Sequence, residues 1–213
     1  MQGKIVFLLE EPSMKVLLDK LLPRLFPDWM EGTHFICLQH EGKNDLDKSI
    51  PRKLKAWQEP DARFVIVRDN DNANCIELKR KLHAICEQAG RPETLIRLVC
   101  QELESWYLGD LQALDNAFDT TDATLNTPKN RKRFANPDQW QKPSVEIKRL
   151  LPSFQKIAGA RAIAEHLNVQ NNRSRSLQVF FEGIQCLARQ MEHAWHETPS
   201  PFLLTNIHKI KES

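Results

Sequence analysis

Four short apolar runs, each separated from the next by a segment with helical spacing, restrict this 213-residue chain to a small set of architectures. The first, KIVFLL at 4–9, is continuous rather than alternating, the pattern of a strand buried on both faces. HFICLQH at 34–40, RFVIVRD at 63–69 and TLIRLVC at 94–100 repeat it. Between the first two, MKVLLDKLLPRLF places leucines at helical spacing, with Ser13 as the expected N-cap and Pro23 expected to bend or end the helix. A second helix is expected from about Asp45 to Trp57, with Pro51 in a first turn. A third runs from Ile76 to Ala89, with apolar positions at Ile76, Leu78, Leu82 and Ile85, closed by Gly90 and Pro92. Strands alternating with helices of this length imply right-handed crossovers and an α/β fold, a central parallel sheet of about four strands flanked by helices.

Beyond Cys100 the pattern changes. From about Asn116 to Lys142 the composition turns to Asp, Thr, Asn, Pro and basic residues without periodicity, which reads as a loop or linker. Val145–Leu151, Phe154–Leu167 and Leu177–Trp195 read as helices, with Gly159 weakening the middle one. The expected organisation is an α/β domain over 1–115, a linker over 116–143 and a helical C-terminal region over 144–213 packed on the first domain. Hydrophobic residues make up 41% of the chain, enough for a sizeable core. The sequence has no apolar run of membrane-spanning length, and the N-terminal MQGKIVFLLEEPS ends in two carboxylates rather than a small-residue cleavage site. Cys37, Cys75, Cys86, Cys100 and Cys186 are odd in number and form no CxxC pair, so reduced thiols and a cytoplasmic location are expected, without disulfides or zinc.

Ligands of open parallel sheets gather at the C-terminal ends of the strands. Glu10 follows the first strand, and Asp69 and Asp71 follow the third. In Asp69-Asn70-Asp71 alternate residues of an extended turn would point the same way, so both carboxylates would converge. Such oxygen donors suit Mg2+ or Mn2+, whose protein ligands are commonly one or two carboxylates with water and a substrate phosphate. Like charges this close would raise one pKa in the absence of a cation. The chemistry that follows is metal-assisted attack on a phosphodiester, with Glu10 holding metal or acting as general acid or base. The alternative is that these acids are helix caps and turn formers.

The string VFLLEEPSM at 6–14 resembles the first Toprim motif, in which a strand ends at a glutamate, here Glu10; Glu11 stands where glycine is usual and Met14 where a second glutamate often stands. FVIVRDND resembles the Toprim strand followed by Asp-x-Asp, matched by Asp69 and Asp71. QELESWYL at 101–108 is similar to the motif after the fourth strand in the Toprim-related DUF4276 family, as are Lys156 in SFQKIAGARAIA, Ser174 and Ser176, and the overall length. The resemblance implies a Toprim/Rossmann-like fold shared with topoisomerases, primases and the nucleases of the overcoming-lysogenization-defect type, and a divalent-metal site. It further implies a nucleic-acid substrate, DNA or RNA, an ATPase partner and a setting in anti-phage defence. A non-catalytic Toprim scaffold that binds an ATPase or nucleic acid is the alternative.

Further residues carry two readings each. Glu104 is a further metal ligand or general base, with Glu102 competing for the role, or both simply open a helix, where the macrodipole favours acids. Trp106 and Tyr107 stack a base or belong to the core. Lys156 contacts phosphate and stabilises developing negative charge, or sits on a helix surface. Arg68 points away from Asp69 if extended and is read as structural. His193 and His196 follow no zinc signature. No phosphate-binding Gly-rich loop occurs, so intrinsic ATPase activity is not expected. Net charge is only +2, yet Lys129, Arg131, Lys132 and Arg133, followed by Lys142, Lys148 and Arg149, form either a basic patch beside the acidic site or a solvated face.

Overall fold

The computed structural model describes residues 3–118, 120 and 124–197, with side chains in the last helix described up to Met191. Strands β1 (Ile5–Leu9), β2 (Phe35–Gln39), β3 (Arg63–Asp69) and β4 (Leu95–Val99) form one sheet in the order β2-β1-β3-β4. All three pairings are parallel, with Leu9 opposite Gln39 and Val67, and Val67 opposite Arg97. Helices α1 (Pro12–Leu25), α2 (Lys43–Ala56) and α3 (Cys75–Gln88) make the crossovers. The expected α/β sheet with flanking helices is what the chain forms.

The central strands are buried along all of β1 and from Phe64 onward in β3, which is why IVFLL and FVIV are continuous apolar runs. Successive side chains point to opposite faces. Val6, Leu8, Phe64 and Ile66 pack with Leu46, Ile50, Leu78 and Leu82 of α2 and α3. Ile5, Phe7, Leu9, Val65 and Val67 pack on the other face with α1 and with helices from the second half of the chain. These are α4 (Glu104–Leu108), α5 (Leu111–Ala117), α7 (Pro143–Leu150), α8 (Lys156–Ala164) and α9 (Arg175–Glu197), whereas α6 (Pro128–Arg133) buries none of its residues. Phe154, Ile163, Phe180 and Ile184 share that larger cluster with Leu17 and Leu21 of α1.

Several local expectations are corrected. Glu11, not Ser13, is the N-cap of α1; Pro12 takes the first helical position, where its missing N–H costs nothing, and Ser13 donates its hydroxyl to the Glu11 carboxylate. Pro23 lies inside α1, and Phe26 still closes the helix by donating its N–H to Leu22 O at 2.8 Å. Pro51 sits in the interior of α2 rather than its first turn. Ile76, read as core-facing, is 70% exposed, because Asn74 caps α3 in a register that turns the first residues outward. The segment read as a loop carries α6 and a 3₁₀ turn at Pro137–Gln139. The signal for α6 is a cap rather than periodicity: Thr127 Oγ1 accepts from Asn130 N–H at 3.1 Å, with Pro128 at the first position. Gly159 lies inside α8, where a Cβ would collide with the Phe154 ring. Gly90, at φ +79°, ends α3 in the left-handed turn expected after a helix, with Arg91 N–H on Cys86 O at 2.9 Å. Among the described residues no helix is long and apolar enough to cross a membrane, and all five cysteines are free.

Candidate functional site

The strand order makes β1 and β3 neighbours while their onward crossovers leave in opposite directions, so the switch point of the fold lies at their C-terminal ends. Glu10 leaves β1 there, donating its N–H to Val67 O at 3.2 Å. Its carboxylate accepts the N–H of Asp69 at 3.1 Å, locking the two strand ends together. Beyond Asp69, β3 turns under the control of Asn70. The Asn70 side chain accepts Gln101 N–H at 2.5 Å and donates to Ala73 O at 3.0 Å and to Cys75 Sγ at 3.2 Å. Asp71 and Asn72 follow at φ +48° and +63°. Two left-handed residues in succession reverse the chain, so the expected extended turn does not form.

That reversal divides the acids between two sides of the switch point. On one side Glu10 lies 3.8 Å from Arg68 Nε, and Asp71 is held by Lys43 at 2.8 Å. Arg68 also donates to Asp47 at 2.6 Å, where it is held beside the Glu10 carboxylate. Burial, joined by the negative charge of Asp71 and opposed by Arg68, pushes the Glu10 carboxyl up to about 7. On the other side Asp69, 6% exposed, shares its surroundings with Glu11, Glu104 and Lys156. Burial, then the charges of Glu11, Glu10 and Glu104, drives the Asp69 carboxyl well above its usual value, with Lys156 opposing. Asp69 and Asp71 therefore do not converge.

Glu104 opens α4 and is 1% exposed. Burial raises its carboxyl to about 7 against the pull of Lys156. Lys156, the first residue of α8, donates to Glu11 at 2.5 Å. Burial weighs against its charge, but Glu11, Glu104 and Asp69 together raise its pKa. Asp69 Oδ1, Glu104 Oε2 and the Tyr107 hydroxyl are buried with no protein partner, which asks for a ligand or water at that point. A pocket of ≈ 390 Å³ opens beside them, walled by Glu104, Lys156, Lys148, Ser144 and Phe154. Glu102 is engaged elsewhere: its carboxylate accepts Ser144 N–H at 2.8 Å and lies 3.5 Å from Lys142.

Trp106 and Tyr107 are core residues, each 1% exposed, and Trp106 donates to Ser176 Oγ at 3.0 Å. Ser176 and Ser174 are structural too, both bonded to Asp138. Met14, where a second acid would stand, is buried in the α1 core and offers no ligand. The side chains of His193 and His196 lie outside the described residues. Sequence reasoning overlooked Asn70 and Glu11. A polar residue between two acids, and a second acid after the first strand, were the available signals.

The oxygen donors match a hard divalent cation in kind, and the unpartnered oxygens of Asp69 and Glu104 offer room for one. Among the described residues, no group of three His, Cys, Asp or Glu side chains is already assembled to hold a metal. The donors present are Asp69, Glu104 and Glu11 on one side and Glu10 and Asp71 on the other, with lysines in ion pairs with Glu11 and Asp71.

No curated protein matches this chain. Among solved structures it is similar to the C-terminal region of the OLD protein of Xanthomonas campestris pv. campestris, at 14% identity and a TM-score of 0.45, over 87% of this chain and 98% of that one. The sequence model of a domain of unknown function, DUF4276, matches residues 9–185, most of the length and both halves of the acidic site. The chain belongs to the DUF4276 family.

Proposed function

We propose that the protein is a divalent-metal-dependent phosphodiester hydrolase acting on nucleic acid, with its centre at the switch point between β1 and β3. The observation that carries this reading is the set of buried carboxylates there, Asp69 and Glu104 above all, each with an oxygen that no protein group satisfies. A protein does not retain such groups for stability, since each costs about 1–3 kcal/mol of desolvation when unpaired. Carboxyls held near pH 7 at a cleft are also what acid–base chemistry uses.

Asp69 and Glu104 would hold Mg2+ or Mn2+, with Glu11 freed from Lys156; Glu10 and Asp71 are the further candidate ligands at the switch point. Bound there, the ion supplies an acidified water and neutralises charge on the phosphate. Without an ion the Glu104 carboxyl sits at about 7, so at neutral pH it would give up its proton as the cation binds. Lys156 borders the pocket and places an ammonium where charge develops on a scissile phosphate. Arg68, fixed by Asp47, orients the Glu10 carboxylate. Glu10 in turn holds the Asp69 backbone, keeping the two strand ends in register.

Labelled single-stranded DNA, duplex DNA and RNA incubated with Mn2+ or Mg2+ test the reading. The expected result is metal-dependent cleavage, abolished by EDTA and reduced at least about 100-fold in Asp69→Asn. Cleavage untouched by that substitution would overturn it.

A second reading has one observation in its favour, the absence of an assembled metal cluster among the described residues. On that reading the chain is a scaffold for an ATPase partner or for nucleic acid, and it binds no divalent ion.

A further inference from the structure

The second half of the chain contains a groove of ≈ 840 Å³ between α6, the 3₁₀ turn and α7, larger than the pocket at the acidic site. Lys132, Arg133, Lys142 and Arg149 supply its charge, and Trp140, half-buried, forms part of its wall. The one carboxylate lining it, Glu146, is 4% exposed and is consumed by Arg133 at 2.5 Å and by Arg149. Glu146 therefore fixes the two guanidinium groups without cancelling the positive surface that Lys132 and Lys142 present. Arg133 is held further by the Phe134 and Trp140 rings, its guanidinium carbon 5.1 and 5.2 Å from their centroids. A guanidinium clamped by a buried acid and two aromatic rings is preorganised, unlike a lysine on an open helix face.

The groove adjoins the site. Val145 lines both it and the ≈ 390 Å³ pocket, in which Lys148 and Lys156 extend the line of cations to Glu104. The link is rigid, because the Glu102 carboxylate caps Ser144 N–H at the start of α7 at 2.8 Å and so ties α7 to the turn that carries Glu104.

We propose that this groove is the binding track for a single, unpaired nucleic-acid strand: its phosphates lie along Lys132, Arg133, Lys142 and Arg149, a base rests against Trp140, and the strand leads through the neighbouring pocket to Asp69 and Glu104. The proposal rests on the hydrolase reading for its direction, not for the binding itself. Cations alone accept any phosphate backbone; the concave shape and the part of the indole left exposed beside Arg133 and Phe134 select an unpaired strand, because bases in a duplex keep their faces stacked on one another.

Fluorescence anisotropy in EDTA tests the track without chemistry, using fluorescein-labelled dT and U oligomers of about 20 nucleotides and a duplex of equal length. The wild type is expected to bind both oligomers more tightly than the duplex. Lys132 and Lys142 are exposed, and Lys142→Gln sets no second carboxylate against Glu102, so Lys132→Glu with Lys142→Gln leaves the fold intact. That variant is expected to bind at least about tenfold more weakly, with the slope of log K against log salt reduced by about 1.5. Trp140→Leu is expected to weaken binding about five- to tenfold at every salt concentration without changing the slope. Unchanged affinity in the double variant, or duplex binding equal to that of the oligomers, overturns the proposal. Calorimetric Mn2+ binding by the double variant separates the two readings: metal binding kept with strand binding lost supports the track, whereas strand binding kept with metal binding lost in Asp69→Asn places any failure at the acidic site alone.

Discussion

The Glu10 carboxylate accepts the backbone N–H of Asp69 at 3.1 Å, so the acid that follows β1 holds in place the acid that ends β3. The same carboxylate is pushed to about 7 by burial and by Asp71, and Arg68 only partly offsets this. The switch point thus holds carboxyl groups whose charged form the fold disfavours.

A pH dependence of stability follows. Glu10 and Glu104 have folded pKa values of about 7 against 4.5 for the ordinary group, so between these values the folded state holds protons that the unfolded state has released. The contribution of these two groups to the stability of the metal-free protein is therefore fully present below about pH 4.5, falls as pH rises and is lost above about pH 7. At about 1.4 kcal/mol per pKa unit, each group accounts for on the order of 3 kcal/mol. Urea titrations in EDTA from pH 5 to 8 should show this fall. Glu104→Gln should flatten it and be more stable than the wild type at pH 8, and a fall that persists unchanged in the variant would contradict the assignment.

Asn70 touches no candidate ligand pocket yet controls the turn that separates Asp69 from Asp71. Its side chain makes bonds to Gln101 N, Ala73 O and Cys75 Sγ, and it is 5% exposed. Asn70→Ala should cost about 2–3 kcal/mol by denaturant unfolding and weaken Mn2+ binding at least tenfold, although no metal donor is removed. Wild-type affinity in the folded variant would show that the turn does not position the acids.

Lys156 lowers the pKa of both Asp69 and Glu104 while pairing with Glu11. Lys156→Met should shift the basic limb of the Glu104 titration, followed by carboxyl NMR, to higher pH, and should reduce cleavage by about 100-fold. An unshifted titration would place the lysine outside the electrostatic site.

Much of the fold is legible in the sequence because the strands needed both faces covered, and only continuous apolar runs such as Val6–Leu9 and Phe64–Val67 provide that. The positions of Glu10 and Asp69 followed from those strand ends. The pairing of Asp69 with Glu104 and Lys156 was not legible from spacing, because it brings together segments far apart in sequence. The separation of Asp71 was hidden for a different reason: nothing in Asp69-Asn70-Asp71-Asn72 announces two left-handed residues, although Asn and Asp tolerate that conformation better than most. The same holds for α6, whose basic sequence lacks an apolar stripe and whose start is set by Thr127 and Pro128.

The central claim, that the switch point holds a divalent cation, is tested most directly by calorimetric titration of Mn2+ into the wild type and into the Asp69→Asn, Glu104→Gln double variant. Both substitutions remove buried charge, so the variant remains folded and is expected to be at least as stable as the wild type at pH 8. Saturable binding to the wild type that is lost in the variant is the predicted result. A wild type that binds no Mn2+, or a variant that binds it equally well, would contradict the account.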